Sequence, residues 1–359
     1  MTVANLTTSQ RMPPFPDRAL LRRLPKAELH CHLDGSVRPA TLLELGREHH
    51  VPMPADDVDA LREFMIVRDA RDLEEYLTRF DITLAVLQTA DALERVTYEL
   101  AEDAAAEGVR YIEMRYCPVL NTRHDLELGQ TVEAPLEGLA RAQRDHGIVG
   151  RLIITALRNL PPGISMELAH LAVAYKDRGV AGFDLAGGER GHPAGVHAGA
   201  FEYAQAHGLA CTCHAGEGAG ADSVREAVYA CKAHRLGHAT RLIEDPTLTD
   251  YVTEQRIALE ICLTSNVQTR AASSYETHPL RRYFDAGANV VLNTDNRLMS
   301  GTTLTDEYVH AAEHLGFSFD ELCTIALNGF HSAFVSPAER DAMVASARAE
   351  IAALRGDAT

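Results

Sequence analysis

Residues 91–116 read DALERVTYELAEDAAAEGVRYIEMRY. The first seventeen place apolar side chains at i, i+3 and i+4 and stop at Gly108, which predicts an amphipathic helix over 91–107. The next eight, Val109–Tyr116, predict a short strand buried on both faces. The same alternation runs along the chain. Further strand-like runs fall at 27–32, 148–157, 180–185, 209–214, 235–238, 257–263 and 289–294, most of them rich in Val, Ile and Leu. Helical patterns lie at 165–178, at 222–233 and at 279–286, the last ended by Gly287. Six such strands would suit a doubly wound open sheet equally well. Eight, with helices between them, favour closure into a parallel (β/α)8 TIM barrel.

The stretch from Leu33 to Gly108 is too long for a single crossover and must hold extra helices between strands one and two. One is marked by Asp72 and Glu75, a capping-box spacing that leads into Leu73, Tyr76, Leu77 and Phe80. Insertions after a barrel strand sit over the mouth of the barrel. That apolar stripe reads as packing against the rim or, more sharply, as a lid over a substrate. No fixed-period repeat or low-complexity segment interrupts the pattern. Residues 1–20 are expected to be a flexible leader, 21–354 one barrel domain, and 355–359 a fraying tail.

Composition excludes several classes. The chain of 359 residues has no run of about 20 apolar residues, so no spanning helix is expected. Its beginning has three prolines and no apolar h-region, unlike a secretory signal. Lys and Arg total 34 against 51 Asp and Glu, and the net charge of −17 disfavours nucleic acid and anionic membranes as partners. A small neutral or cationic substrate fits better. Seven scattered cysteines, an odd number, point to reduced thiols in the cytoplasm. Oligomeric state is left open, a homodimer being one option.

Polar residues gather where the predicted strands end, which is where a barrel carries its active site. Strand one ends in His30-Cys31-His32, and two residues apart on a strand share a face. His214 ends strand five and is followed three residues later by Glu217; His238 ends strand six and Asp295 strand eight. Histidines and a carboxylate from four strand ends suit Zn²⁺ or a similar divalent ion. A lone H-x-H would be weak, since a hydrogen-bonded core histidine is commoner than a ligand.

Other motifs compete less well. Residues 216–221, GEGAGA, match a G-x-G-x-x-A dinucleotide loop, but on a late strand with His214 and Glu217 beside it. Cys211 and Cys213 read as packing. His49, His50, His192 and His197 fall in loops or helices and are expected to be solvated. Glu113 and Arg115, alternating with Met114, read as an interior polar pair. The H-x-E with P-C-x-x-C motifs of base-flipping deaminases are absent.

Taken together, KAELHCHLDGS (26–36), GVRYIEMRYCP (108–118), GFDLAGGE (182–189), CHAGE (213–217), RLGHA (235–239) and VVLNTDN (290–296) resemble the adenosine deaminase family of the amidohydrolase superfamily, from Leu24 to about Phe330. The resemblance implies a barrel with one zinc ion per chain and hydrolytic removal of the 6-amino group of adenosine and 2′-deoxyadenosine. It implies that His30, His32, His214 and Asp295 hold the zinc and that Glu217 donates a proton to purine N1. His238 would orient the attacking water. On the substrate, Gly187 would offer its N–H to N3 and Asp34 would bind the ribose 5′-hydroxyl, where relatives that prefer adenine tend to carry Glu. Tyr76, Leu77 and Phe80 would form the apolar lid.

Two positions depart from the family pattern. Asn296 stands where an Asp usually meets N7, and Gly188 replaces an Asp in A-G-D-E. N7 is an acceptor and an Asn amide always donates, whereas an Asp must first be protonated. The competing enzyme reading is a deaminase of another 6-aminopurine compound, such as adenine, S-adenosylhomocysteine, 5′-methylthioadenosine or 6-amino-6-deoxyfutalosine. A binuclear amidohydrolase would need a lysine on strand four, where the chain has Phe183-Asp184-Leu185. A catalytically dead binding barrel would be expected to have lost a ligand or Glu217.

Overall fold

The computed structural model describes residues 16–68 and 70–357. Eight strands, β1 (Lys26–His32), β2 (Val109–Tyr116), β3 (Val149–Leu157), β4 (Val180–Ala186), β5 (Ala210–Ala215), β6 (Arg235–His238), β7 (Ala258–Ile261) and β8 (Val290–Leu292), pair in parallel in sequence order. The barrel closes between its last and first strands. Cys31 bridges Asp295, with His32 N–H donating to Asp295 O (2.7 Å) and Asp295 N–H to His30 O (3.0 Å). Closure therefore brings together His32 and Asp295, 263 residues apart in sequence.

Helices follow the strands as alternation requires. The helix Ala90–Ala106 buries Leu93, Val96, Leu100 and Ala104 on one face. Its N-cap Thr89 accepts from Ala92 N–H. At Gly108 the chain turns with φ +88°, and a side chain there would run into the carbonyl of Arg22 at 2.4 Å. The long β1–β2 connection holds further helices at Pro39–Glu48, Val58–Met65, Leu73–Leu77 and Phe80–Val86. Asp72 caps Leu73–Leu77 by accepting from Glu75 N–H, whereas the Glu75 carboxylate returns to Arg71 N–H, one residue before the expected capping-box partner.

Several boundaries differ from expectation. A helix spans Arg18–Arg23 and so begins within the stretch 1–20 read as leader, because Leu21 and Leu24 are buried in the core; residues 1–15 lie outside the described residues. The last helix, Pro337–Asp357, continues beyond Leu354. The run 257–263 is strand only over Ala258–Ile261, and a helix begins at Leu263.

A layer of charge fills the barrel interior. Glu260 on β7 accepts from Thr212 (3.0 Å) and Arg235 (2.6 Å) through one oxygen, and from His30 and Arg115 (2.9 Å each) through the other. All of these residues are buried. Glu113 and Arg115 are both interior but do not pair with each other. Glu113 binds Arg235 and Tyr111, while Arg115 binds Glu260 and lies 3.4 Å from Asp184. Their charged partners come from across the barrel, Arg235 on β6, Glu260 on β7 and Asp184 on β4.

Glu307, on the helix Leu304–Leu315, is buried against Thr264 N–H (3.2 Å) and the Thr302 hydroxyl (2.8 Å). Burial pushes its carboxyl up to about 7. The folded form then holds a proton that the unfolded chain has released above its ordinary pKa. The favourable contribution is complete at low pH and fades between about pH 4.5 and 7. Glu307→Gln, which keeps one acceptor and is always neutral, is expected to gain roughly 2–3 kcal/mol relative to wild type between pH 4.5 and 8. Urea unfolding of both proteins across that range checks it, and parallel pH profiles would refute it.

Candidate active site

The side chains at the strand ends converge. Ligand-type atoms of His30, His214, His238 and Asp295 all lie within 4.8 Å of one another, and all four residues are buried. His32 joins them, with Nε2 3.1 Å from His214 Nε2 and 3.4 Å from Asp295 Oδ1. Five donors therefore meet where a structural zinc takes four protein ligands and a catalytic one about three with a water. Proximity alone groups His238, rather than His32, with the other three.

Two of the residues that hold this cluster have positive φ. His238 (62°) and Asp295 (61°) occupy the left-handed region at their strand ends. Such backbone is costly for side chains with a Cβ and recurs where function fixes a direction.

The outer contacts decide which ring atoms face inward. His30 Nδ1–H donates to Glu260 and His214 Nδ1–H to Asp184 (3.1 Å). Both acceptors are ionised: against the upward push of burial, Arg115 and Arg235 hold Glu260 well below the usual range, and His214 and Arg115 do the same for Asp184. The Nε2 lone pairs of His30 and His214 then point into the cluster, and His30 Nε2 is buried without a hydrogen-bond partner. Ser265 donates to Asp295 Oδ2 (2.6 Å), which leaves Oδ1 facing His30 and His32 at 3.4 Å each. Imidazoles whose Nδ1 is engaged outward on a carboxylate, leaving Nε2 to face the cluster, and one oriented carboxylate oxygen fit a divalent cation.

Glu217 stands beside this cluster, its Oε2 3.4 Å from His238 Nε2 and its Oε1 buried with no partner. Burial first, then the charges of Asp295 and Glu189, push its carboxyl well above the ordinary range. The backbone that carries it is clamped by a residue not singled out in the sequence. The Glu189 carboxylate accepts from the N–H groups of Gly216 (2.7 Å), Glu217 (2.9 Å), Gly218 (2.6 Å) and Ala219 (3.0 Å). The glycine-rich loop that mimics a phosphate cradle thus binds an internal carboxylate.

A cavity of ≈ 280 Å³ opens next to the cluster, lined among others by His32, Asp34, Leu77, Phe80 and Gly187. Burial pushes Asp34 up to about 7, and its Oδ1 has no partner. Tyr76 and Asn296 do not line this cavity. Tyr76 is buried with its hydroxyl on Ser300 (2.9 Å). Asn296 is buried with Oδ1 unpartnered, packed so tightly on Gly35 that a Cβ there would lie 1.8 Å from it. A side chain at position 188 would face Glu74 at 3.8 Å, so an Asp there would meet a like charge. A larger concavity, ≈ 990 Å³, lies at the opposite end of the barrel against Val180, Ala210 and Ala258; it is remote from the donor cluster and is not the site.

Sequence reasoning missed Glu189, Ser265, Asn266 and Glu260, which act by long-range contact. His197, expected to be solvated, is buried between Ser165 (2.8 Å) and the carbonyl of Arg158 (3.2 Å), because its short helical turn packs against the helix Pro162–Ala174. Cys211 and Cys213 are buried and stand outside the donor cluster.

A closed parallel barrel with a buried histidine–aspartate cluster at the C-terminal ends of its strands defines a (β/α)8-barrel enzyme with donors of the metal-binding kind. A family model, Adenosine deaminase, matches residues 25–349. The chain belongs to that family. It is 42% identical to adenosine deaminase 1 of Streptomyces coelicolor over 92% of its own length and 87% of that protein. Among solved structures it is similar to an adenine deaminase of Arthrobacter aurescens, with a TM-score of 0.85, 29% identity, and 91% and 99% of the two chains covered. It is also similar to a Zn-bound amidohydrolase of Burkholderia ambifaria, with a TM-score of 0.86, 28% identity, and 95% and 94% covered. No helix among the described residues is long and apolar enough to cross a membrane.

Proposed function

We propose that this protein hydrolyses adenosine and 2′-deoxyadenosine to inosine and 2′-deoxyinosine plus ammonia, with one zinc ion held by His30, His32, His214 and Asp295. The observation that carries the reading is the buried Glu217 carboxyl beside the donor cluster, its Oε1 without a partner, in a site whose His32 also lines a cavity of ≈ 280 Å³. Bound zinc supplies a water acidified to a pKa of about 7.

The chain's own residues do the rest. Glu217, kept protonated by burial, gives its proton to purine N1 as the ring loses aromaticity. His238 orients the attacking water. The Gly187 N–H, in the cavity wall, meets N3. Leu77 and Phe80 cover the ribose and exclude water. The seven cysteines, all buried and none bonded to another, support a reducing, cytoplasmic setting.

The second reading, adenine as substrate, is favoured by the Arthrobacter enzyme's name. Asp34 in the cavity wall argues for the nucleoside, since relatives that prefer adenine tend to carry the longer Glu there. A panel of adenosine, 2′-deoxyadenosine, adenine, 5′-methylthioadenosine and 6-amino-6-deoxyfutalosine, followed by ultraviolet absorbance with and without a chelator, tests both. Adenosine should turn over fastest and adenine should be poorer by roughly two orders of magnitude or more. The chelated enzyme should be inactive. Preference for adenine or a 5′-substituted compound would displace the proposal.

A further inference from the structure

Behind His238 runs a buried chain of hydrogen bonds that ends on a backbone amide. Leu280 N–H donates to His278 Nδ1 (3.1 Å), His278 Nε2 meets Asn266 Oδ1 (3.0 Å), and Asn266 Nδ2 meets His238 Nδ1 (2.9 Å). His238, Asn266 and His278 are all buried.

A backbone N–H can only donate, so the direction of every bond follows from it. His278 Nδ1 accepts, and burial holds this histidine neutral, its pKa pushed down to about 3. Its single proton is therefore on Nε2 and is donated to Asn266 Oδ1. The Asn266 amide is thereby fixed with its NH₂ toward His238, whose Nδ1 accepts. The one proton of a neutral His238 is left on Nε2, the atom that faces Glu217 and the donor cluster. His30 and His214 are held the opposite way, with Nδ1–H outward on carboxylates and Nε2 lone pairs inward. Three histidines whose ligand-type atoms lie within 4.8 Å of one another are thus sorted by their outer partners into two lone-pair donors and one proton donor.

We propose that His278 and Asn266 are positioning residues that fix His238 as its Nε2–H tautomer, so that it presents a hydrogen-bond donor, rather than a ligand lone pair, to the reacting water. The reaction named in this role rests on the deaminase reading; the tautomer does not.

The test reads both. Zinc-loaded protein labelled with ¹⁵N in histidine is examined by long-range ¹H–¹⁵N correlation, the His238 signal being the one lost in His238→Ala. Wild type should show the Nε2–H pattern. Asn266→Asp presents acceptors on both sides and should invert it to Nδ1–H. kcat should fall about 10–100-fold in that variant, with KM little changed. Should Asn266→Asp fail to fold, His278→Leu removes the anchor and lets Asn266 turn over. It should give mixed tautomers and a smaller loss of kcat, and His278→Gln, with an amide N–H where Nε2 was, should restore both. An Nδ1–H wild type, or a His278→Leu variant equal to wild type in tautomer and kcat, overturns the proposal. An Nε2–H signal in a protein that deaminates nothing would spare the relay and remove the assigned reaction.

Discussion

Replacing Glu217 by glutamine is expected to leave the fold and the metal content intact and to cut turnover by about 10²–10⁴-fold. The side chain is buried, and one of its oxygens has no partner, so an isosteric amide leaves the packing undisturbed. What changes is the proton. A carboxyl raised well above its ordinary range arrives protonated at neutral pH and can transfer that proton to a ring nitrogen; an amide can only share a hydrogen bond. KM should move much less than kcat, because the amide still meets the base in the ground state. Steady-state kinetics with elemental analysis of the same sample checks both halves. A glutamine variant with near-normal kcat would strip Glu217 of the donor role. A variant that also loses metal would show Glu217 supporting the cluster instead.

That site was readable in part because its chemistry sits at strand ends. His30 and His32 alternate on one strand, and His214, His238 and Asp295 each close an apolar run, so a parallel barrel necessarily brings them to one mouth. The residues that orient them were hidden for the same reason that the strands were visible. Glu260 lies between Leu259 and Ile261, Asp184 between Phe183 and Leu185, and Glu28 between Ala27 and Leu29. A single charge in a short apolar run reads as noise until the partner is known, and the partners come from other strands. Arg235 and Glu113 are 122 positions apart, and Arg297 and Glu28 are 269 apart. His278 and Asn266 fall in segments that look like ordinary connection. Only the direction imposed by the Leu280 amide gives them a meaning.

The largest expected loss of stability follows from that interior layer. Glu260→Ala is expected to cost about 3–5 kcal/mol. Both oxygens of Glu260 are in use, and both of its guanidinium partners are buried. Deletion leaves Arg115 with the Leu29 carbonyl and with Asp184, 3.4 Å away, and Arg235 with Glu113, so each buried guanidinium loses a charge-assisted hydrogen bond that nothing replaces. Set against a typical total of about 5–15 kcal/mol, such a loss removes a large share of the margin. The damage should reach the metal as well. His30 loses the carboxylate that holds its Nδ1–H outward, and its Nε2 lone pair is no longer aimed. Affinity for Zn²⁺ should weaken by about 10–100-fold. Urea unfolding and competition with a chelator measure the two effects separately. Removing Asp59, which pairs with Arg62 on an exposed helix, provides the control and should shift neither. Equal midpoints for Glu260→Ala and wild type would mean that the two arginines find other partners. Unchanged zinc affinity in a destabilised variant would mean that the charge layer supports the barrel without orienting His30.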